Sequence, residues 1–345
     1  MSVRSQVPGM TRPPVRPSIK EVARLSGVSI GTVSKSLSSA TDVSQATRER
    51  VMRVADQLQY RPMALARGLA QGRSGNIAVT LSAIHTPVFL DSFYAEVLGG
   101  IETELEARGL HLLLTSLKSG NDLLQLASER RADGLIVIGF EVPEEVLQQI
   151  AQMQPLVLVD RHVAGISSVM SDNAEGTRRG TQRLIELGRR RLMFVSERAT
   201  IPNLQDRLTG FLQALTEARL DPQAAPVHAH AEDDALPVEE VLATIRRERI
   251  DAVVCGNDRV AYKILAALDH AGVQVPEQVA VLGYDGLRYP LEGLRRLSSV
   301  SVDKGAMGAT GARLLLGQID QPGSPVQQVV IPTTFQQGST TPEPL

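Results

Sequence analysis

Cysteine occurs once in these 345 residues, at Cys255. A single thiol excludes an intramolecular disulfide framework and fits a reducing cytoplasm. It precedes Gly256 in an apolar run, which points to a buried structural thiol rather than a nucleophile. No uninterrupted apolar stretch approaches the roughly 20 residues of a membrane helix, so no membrane partner is expected. The N-terminus holds Arg and Pro but no apolar segment, and does not read as a secretory signal. Signatures of catalysis are scarce. The chain has neither a GxxxxGK phosphate loop nor an HExxH zinc helix. His228 and His230 alternate as metal ligands can, but no third ligand stands at useful spacing. No catalytic residue, metal or cofactor is expected, and the chain does not read as an enzyme.

Negative charge is what the N-terminal end lacks. Residues 1–75 hold 12 Lys and Arg against 4 Asp and Glu, a net +8, while residues 76–345 carry −10. The overall charge of −2 hides this asymmetry. A basic head releases counterions from phosphate, and an acidic body discourages nonspecific binding elsewhere.

The basic segment contains two short amphipathic patterns around a glycine, SIKEVARLSGVSIGTVSKSL at 18–37. Ser18 and Glu21 form a capping-box pattern that predicts a helix from Ile19, with Ile19, Val22, Ala23 and Leu25 inward. Gly27 supplies the turn. Ser29 is placed to cap a second helix that buries Val33 and Leu37 and exposes Ile30, Gly31, Thr32, Ser34 and Lys35. Ser44 is placed to cap a third, with Val51, Val54, Ala55 and Leu58 inward. This is the arrangement of a helix-turn-helix, whose second helix lies in a DNA major groove. Residues 1–17 read as a disordered basic tail, and 18–60 as the DNA-binding domain. Residues 61–75 read as a hinge helix and linker: Pro62 suits a first turn, and Met63 to Ala70 are too few to be helical alone in water.

From residue 76 the pattern changes. Seven apolar runs, NIAVTLS, LHLLLTS, GLIVIGF, PLVLVD, RLMFVSE, DAVVCG and QVAVLGYD, alternate with helical patterns at 93–107, 174–187, 205–218 and 259–271. Apolar strands separated by helices predict parallel sheets covered on both faces. Two sheets fit the count. The expected lobes are about 76–160 plus 300–320, and about 161–299 plus 325–337, with the run LSSVSVD returning the chain to the first. Residues 338–345 read as a tail. A cleft at the strand ends between such lobes is the natural ligand site.

A series of motifs runs in order along the chain: IKEVARLSGVSIGTVSKSL, VSQATRERV with QLQYRPMALARGL, FYAEVLGGIE, ADGLIVIG, LVLVDR, DNAEGT, LIELGRRRLMFV, RLTGF, GNDRVAYKILAAL and PEQVAVLGYD. By these motifs the whole chain from Ser18 to about residue 337 resembles the LacI/GalR family of transcriptional regulators. The resemblance implies an all-α helix-turn-helix headpiece, a hinge helix and an α/β two-lobed periplasmic-binding-protein-like core that dimerises. It implies a repressor whose affinity for a pseudo-palindromic operator is set by a small-molecule effector, a sugar in the leading reading. A corepressor or a nucleoside or purine ligand stands as the alternative. It assigns base reading to Ile30, Gly31 and Lys35, and phosphate contact to Ser18, Ser29, Thr32, Ser34, Ser44, Thr47 and Tyr60. Leu69 falls where the family wedges DNA, with packing of the hinge as the rival role. Lys35 and Ser38 stand where the family usually has Arg and Asn, which leaves the operator sequence open. The effector cleft would use Phe93, Tyr94, Arg161, Arg207 and Asp258, with Asp160, Asp172 and Asp285 behind them. A helix cap or interlobe salt bridge is the rival role for Asp172, Asp285 and Asp258. The stretch HTPVFLDS at 85–92 departs from the family pattern. The helix at 93–107 is expected in the dimer interface, and the absence of a terminal heptad after PEPL argues against a zipper tetramer.

Overall fold

The computed structural model describes residues 17–37, 43–60, 73–81, 92–116, 120–140, 142–229, 236–287, 295–343. The expected hinge helix with Leu69, the N-terminal tail to residue 16, Ser38, His230 and residues 82–91 lie outside them. Two compact units are formed, residues 1–75 and 76–345.

The first unit is a three-helix head: α1 (Ile19–Ser26), α2 (Ile30–Leu37) and α3 (Gln45–Gln57). Its core is Val22, Ala23, Val33, Val51 and Ala55, with Ile19, Leu37, Val54, Leu58 and Tyr60 packed around them. Gly27 ends α1 at φ 65° and donates its N–H to the Ala23 carbonyl. Two details differ from expectation. Leu25 is 48% exposed. The inward stripe of a 3.6-residue repeat runs through Ile19, Val22, Ala23 and Ser26, and the Ser26 hydroxyl secures that position by donating to the Val22 carbonyl at 2.6 Å. Ser18 occupies the N-cap, but its side chain makes no capping bond. Only its carbonyl accepts, from the N–H groups of Glu21 and Val22.

The second unit is an α/β core of two six-stranded sheets. Its first half runs β1 (Asn76–Leu81), α4 (Ser92–Glu106), β2 (His111–Ser116), α5 (Gly120–Ser128), β3 (Gly134–Ile138), α6 (Glu144–Met153), β4 (Leu156–Val159) and β5 (Ser167–Ser171). Then follow α7 (Asn173–Glu186), β6 (Leu192–Ser196), α8 (Pro202–Glu217), β7 (Val227–Ala229), α9 (Val238–Glu248), β8 (Ala252–Cys255), α10 (Asp258–His270), β9 (Ala280–Asp285) and β10 (Ser298–Val302). The chain closes with α11 (Lys304–Asp320), β11 (Gln328–Ile331) and β12 (Thr333–Gln336). The first sheet has the order β11-β5-β4-β3-β1-β2, the second β12-β10-β9-β8-β6-β7. All pairings are parallel except β12 with β10. All seven apolar runs are strands, and β1, β3, β4, β6 and β8 are buried almost throughout, as coverage on both faces requires.

The lobe boundaries need correction. Ser167–Ser171 pairs with β4 in the first sheet, whereas residues from 161 were expected in the second lobe. Ser298–Val302, the LSSVSVD run, pairs with β9 in the second sheet and does not return to the first. β11 joins the first sheet and β12, two residues later, the second. The cause is composition: SSVMS and SSVSV are hydroxyl-rich strands, and Pro332, which lacks an N–H, divides what reads as one strand between two sheets. The backbone therefore crosses between lobes at residues 172, 303 and 332. Residues 338–343 are not a loose tail either. Thr340 and Thr341 are fully buried. Thr340 pairs with Val281 through both backbone and hydroxyl and accepts the Ser298 N–H, filling the gap between the starts of β9 and β10.

Candidate DNA-reading head and effector cluster

In the head, Val33 and Ser36 face inward, so a 3.6-residue repeat turns Ile30, Gly31 and Lys35 outward. Ile30 is 45% exposed. Thr32 and Ser34 are half-buried. The Ser29 hydroxyl caps α2: it accepts the Thr32 N–H at 3.1 Å and shares a hydrogen bond with the Thr32 hydroxyl at 2.9 Å. Ser44 and Thr47 repeat this pair at the start of α3, at 3.4 and 2.9 Å. Tyr60 is half-buried against the core, and Ser18 is exposed. Residues 27–31 read GVSIG, the spacing of a nucleophile elbow. An all-helical head with Ser29 in a cap has no strand-to-helix turn to support that chemistry.

In the core, side chains converge on Arg207, which α8 carries on its inner face and which is 5% exposed. Its Nε donates to the Asn173 side-chain oxygen at 2.8 Å and its Nη1 to the Gly256 carbonyl at 2.7 Å. Its Nη2 lies 3.3 Å from the Asp285 carboxylate, and its guanidinium carbon sits 3.6 Å over the Tyr284 ring. Tyr284, buried on β9, also bonds across the lobes to the Ser171 hydroxyl at 3.3 Å. From the first lobe, Asp160 stands at the end of β4 with φ 59°. It accepts the Asn203 amide on α8 at both its carboxylate, 2.8 Å, and its carbonyl, 3.0 Å. The Asn203 side-chain oxygen is buried and makes no hydrogen bond. Burial pushes the Asp160 carboxyl up to about 7 against the pull of Arg207, with the Asp285 charge adding to the rise.

Asp258, expected in the effector cleft, has protein partners of its own. It is 1% exposed, and its carboxylate accepts the Ser299 hydroxyl at 2.7 Å and the Leu287 N–H at 2.6 Å. It clamps the turn after β9, and burial together with the Asp285 charge pushes it up to about 7. Nor does it cap α10; Asn257 does, accepting the Val260 N–H at 2.8 Å. Arg161 also bonds within the protein. Its Nη1 donates to the carbonyls of Phe140 and Val142, tying together two loops of the first lobe. Asp172 staples two crossing segments together: it accepts Arg179 at 2.8 Å and the Thr333 N–H at 2.9 Å, joining the crossings at 172 and 332. Phe93 and Tyr94 open α4 and pack edge to face with centroids 5.6 Å apart. The residues that sequence reasoning underrated are therefore Asp285, Tyr284, Asn173 and Asn203. Asp285 carried one signal, the end of an apolar strand followed by Gly286.

Among the described residues no cluster of three or more His, Cys, Asp or Glu is poised to hold a metal, and His228 bonds to the Thr244 hydroxyl at 3.2 Å. Cys255 is buried, and burial pushes its thiol up, away from the reactive thiolate. No described helix is long and apolar enough to cross a membrane.

Comparison with known proteins agrees with both units. Residues 18–63 match the family of bacterial regulatory proteins of the lacI type, and residues 181–341 match a periplasmic binding protein-like domain. The transcriptional regulator CelR of Thermobifida fusca is 30% identical over 317 residues, covering 88% of this chain and 92% of its own. The transcriptional repressor PurR of Vibrio atlanticus is 27% identical over 311 residues, with the same coverage. A solved complex of the regulator CelR with cellobiose is 29% identical, with a TM-score of 0.66 over 94% of this chain and 100% of the other. Helix-turn-helix head, two-lobed core and relatives of nearly full length lead to one conclusion: the chain belongs to the lacI family and is a transcriptional regulator.

Proposed function

We propose that the protein is a dimeric cytoplasmic repressor, without enzymatic activity, whose hold on operator DNA is set by a sugar bound between the lobes of its core. The observation that carries the reading is α2, which turns Ile30, Gly31 and Lys35 to solvent from an N-terminal segment of net +8. Ile30 offers an apolar contact for a thymine methyl, and Lys35 a donor for guanine O6 or N7. Gly31 lets the backbone approach. Ser18, Ser29, Thr32, Ser34, Ser44, Thr47 and Tyr60 serve phosphates and fix register. Leu69 is the minor-groove wedge. Half-sites on a pseudo-palindrome are read by two heads, with α4 contributing to the dimer contact.

The cleft chemistry favours a polyhydroxylated ligand. Arg207, Asp285 and Asp160 supply charged donors and acceptors in a buried setting, Asn203 supplies an unused buried acceptor, and Phe93 and Tyr94 supply an apolar face. Asp258 and Arg161 position the surrounding loops. The likeness to a regulator solved with cellobiose points the same way. Binding shifts a pre-existing balance of lobe geometries, typically by about 1–3 kcal/mol of coupling.

A gel shift with DNA upstream of the protein's own gene tests the first half. Retardation at low salt that weakens steeply as salt rises is expected, and no retardation at low salt overturns it. A thermal-shift screen with cellobiose, D-ribose and adenosine tests the second. A shift with a sugar, reversing or strengthening the retardation, is expected. A shift with adenosine alone replaces the sugar by a nucleoside.

A further inference from the structure

Lys304 is the first residue of α11, at the second lobe crossing, and is 2% exposed. A buried ammonium at a helix N-terminus is unfavourable twice over, through desolvation and through the positive end of the helix dipole. Its three hydrogens are satisfied by three carbonyls of the second lobe: Asp285 at 2.8 Å, Gly286 at 3.2 Å and Val302 at 3.2 Å. Its countercharge comes from the first lobe. Glu96, on the first turn of α4 beyond Phe93 and Tyr94, lies 3.7 Å from Nζ.

The loop at 285–287 is the element that Lys304 grips. Its Asp285 side chain faces Arg207, its Gly286 N–H donates to Ser299, and its Leu287 N–H donates to Asp258. Those three partners all belong to the second lobe. Lys304 carries the connection onward, from the backbone of the residue that pairs with Arg207 to the helix that opens with Phe93 and Tyr94. We infer that Lys304 is a positioning residue that couples the strand-end loop at Asp285 to α4 of the first lobe through Glu96. On the reading that the Arg207–Asp285 cluster receives the effector, this is the path by which occupancy reaches the first lobe.

A double-mutant cycle followed by hydrogen exchange of the full-length protein tests the relay without any ligand. Glu96→Gln is the mild variant and Lys304→Met keeps the length and apolar stem of the lysine. Circular dichroism establishes that each variant is folded. Glu96→Gln is expected to speed exchange of the 280–287 peptide at least threefold, although it lies on the other lobe. In the Lys304→Met background it is expected to add nothing. Exchange changed only within 92–106, or effects of the two substitutions that simply add, overturns the relay. A second arm uses cellobiose and D-ribose as probes. A sugar that binds should protect 97–106, beyond the cleft aromatics, in the wild type and less in Glu96→Gln; equal protection in both overturns the relay. If neither sugar binds, the sugar reading falls and the cycle still decides the relay.

Discussion

Lys35 and Arg207 show how differently two cations are used. Lys35 is exposed, so its removal costs the fold little, while a good base contact is worth about 1–3 kcal/mol. Lys35→Ala is expected to lower specific operator affinity roughly ten- to hundredfold with unchanged thermal stability; unaltered affinity in a titrated gel shift rejects its role in base reading. Arg207 is buried among Asn173, Gly256, Asp285 and Tyr284. Arg207→Met leaves the Asp285 carboxylate, 14% exposed, without its guanidinium, a loss of up to about 3–5 kcal/mol by the measure of broken buried pairs. Chemical denaturation reads this directly, and an undiminished midpoint would show that Asp285 is satisfied by other groups. A lost ligand response in any Arg207 variant therefore has to be read beside its stability.

At the scale of elements, the two lobes share one packing device. Glycines let helix backbones touch: a Cβ at Gly308 of α11 would strike the Val97 carbonyl of α4, and one at Gly210 of α8 the Ala174 carbonyl of α7. Backbone cannot retreat as a side-chain tip can. Gly308→Ala is expected to cost about 1–3 kcal/mol, in the range of overpacked cores. Gly317 in the same α11 meets nothing within 4 Å, so Gly317→Ala should gain up to about 1 kcal/mol from helix propensity. Thermal melts of the two variants should move in opposite directions, and movement in the same direction refutes the close-crossing argument. Helices such as α7, α8 and α10 were legible from their apolar spacing to within a few residues. These crossings were not, because the partner of a helical glycine lies far away in sequence.

For the whole molecule, two buried carboxyls set a pH dependence. Asp160 and Asp258 are held up to about 7 from an ordinary 3.8. Between those values the folded chain binds more protons than the unfolded one, so stability falls as pH rises through the window and levels off above it. The depressed Glu175, paired with Arg178, works in the opposite direction, but only below its ordinary 4.5. Urea midpoints at pH 5 and 7.5 should differ, the lower pH being the more stable, with the gap reduced in Asp160→Asn. A flat profile or a rise with pH excludes this protonation.

Composition and spacing alone determined the cationic head, the three short helices, the apolar strands and the parallel α/β class. Each of these depends on local periodicity, capping chemistry or charge count. Tertiary structure alone decided which lobe holds SSVMS and SSVSV, and that Thr340 and Thr341 are core. It also decided that Asp285, not Asp258, faces Arg207. Those outcomes depend on partners that are not neighbours along the chain, where hydroxyl-rich strands and buried carboxylates leave no periodic trace.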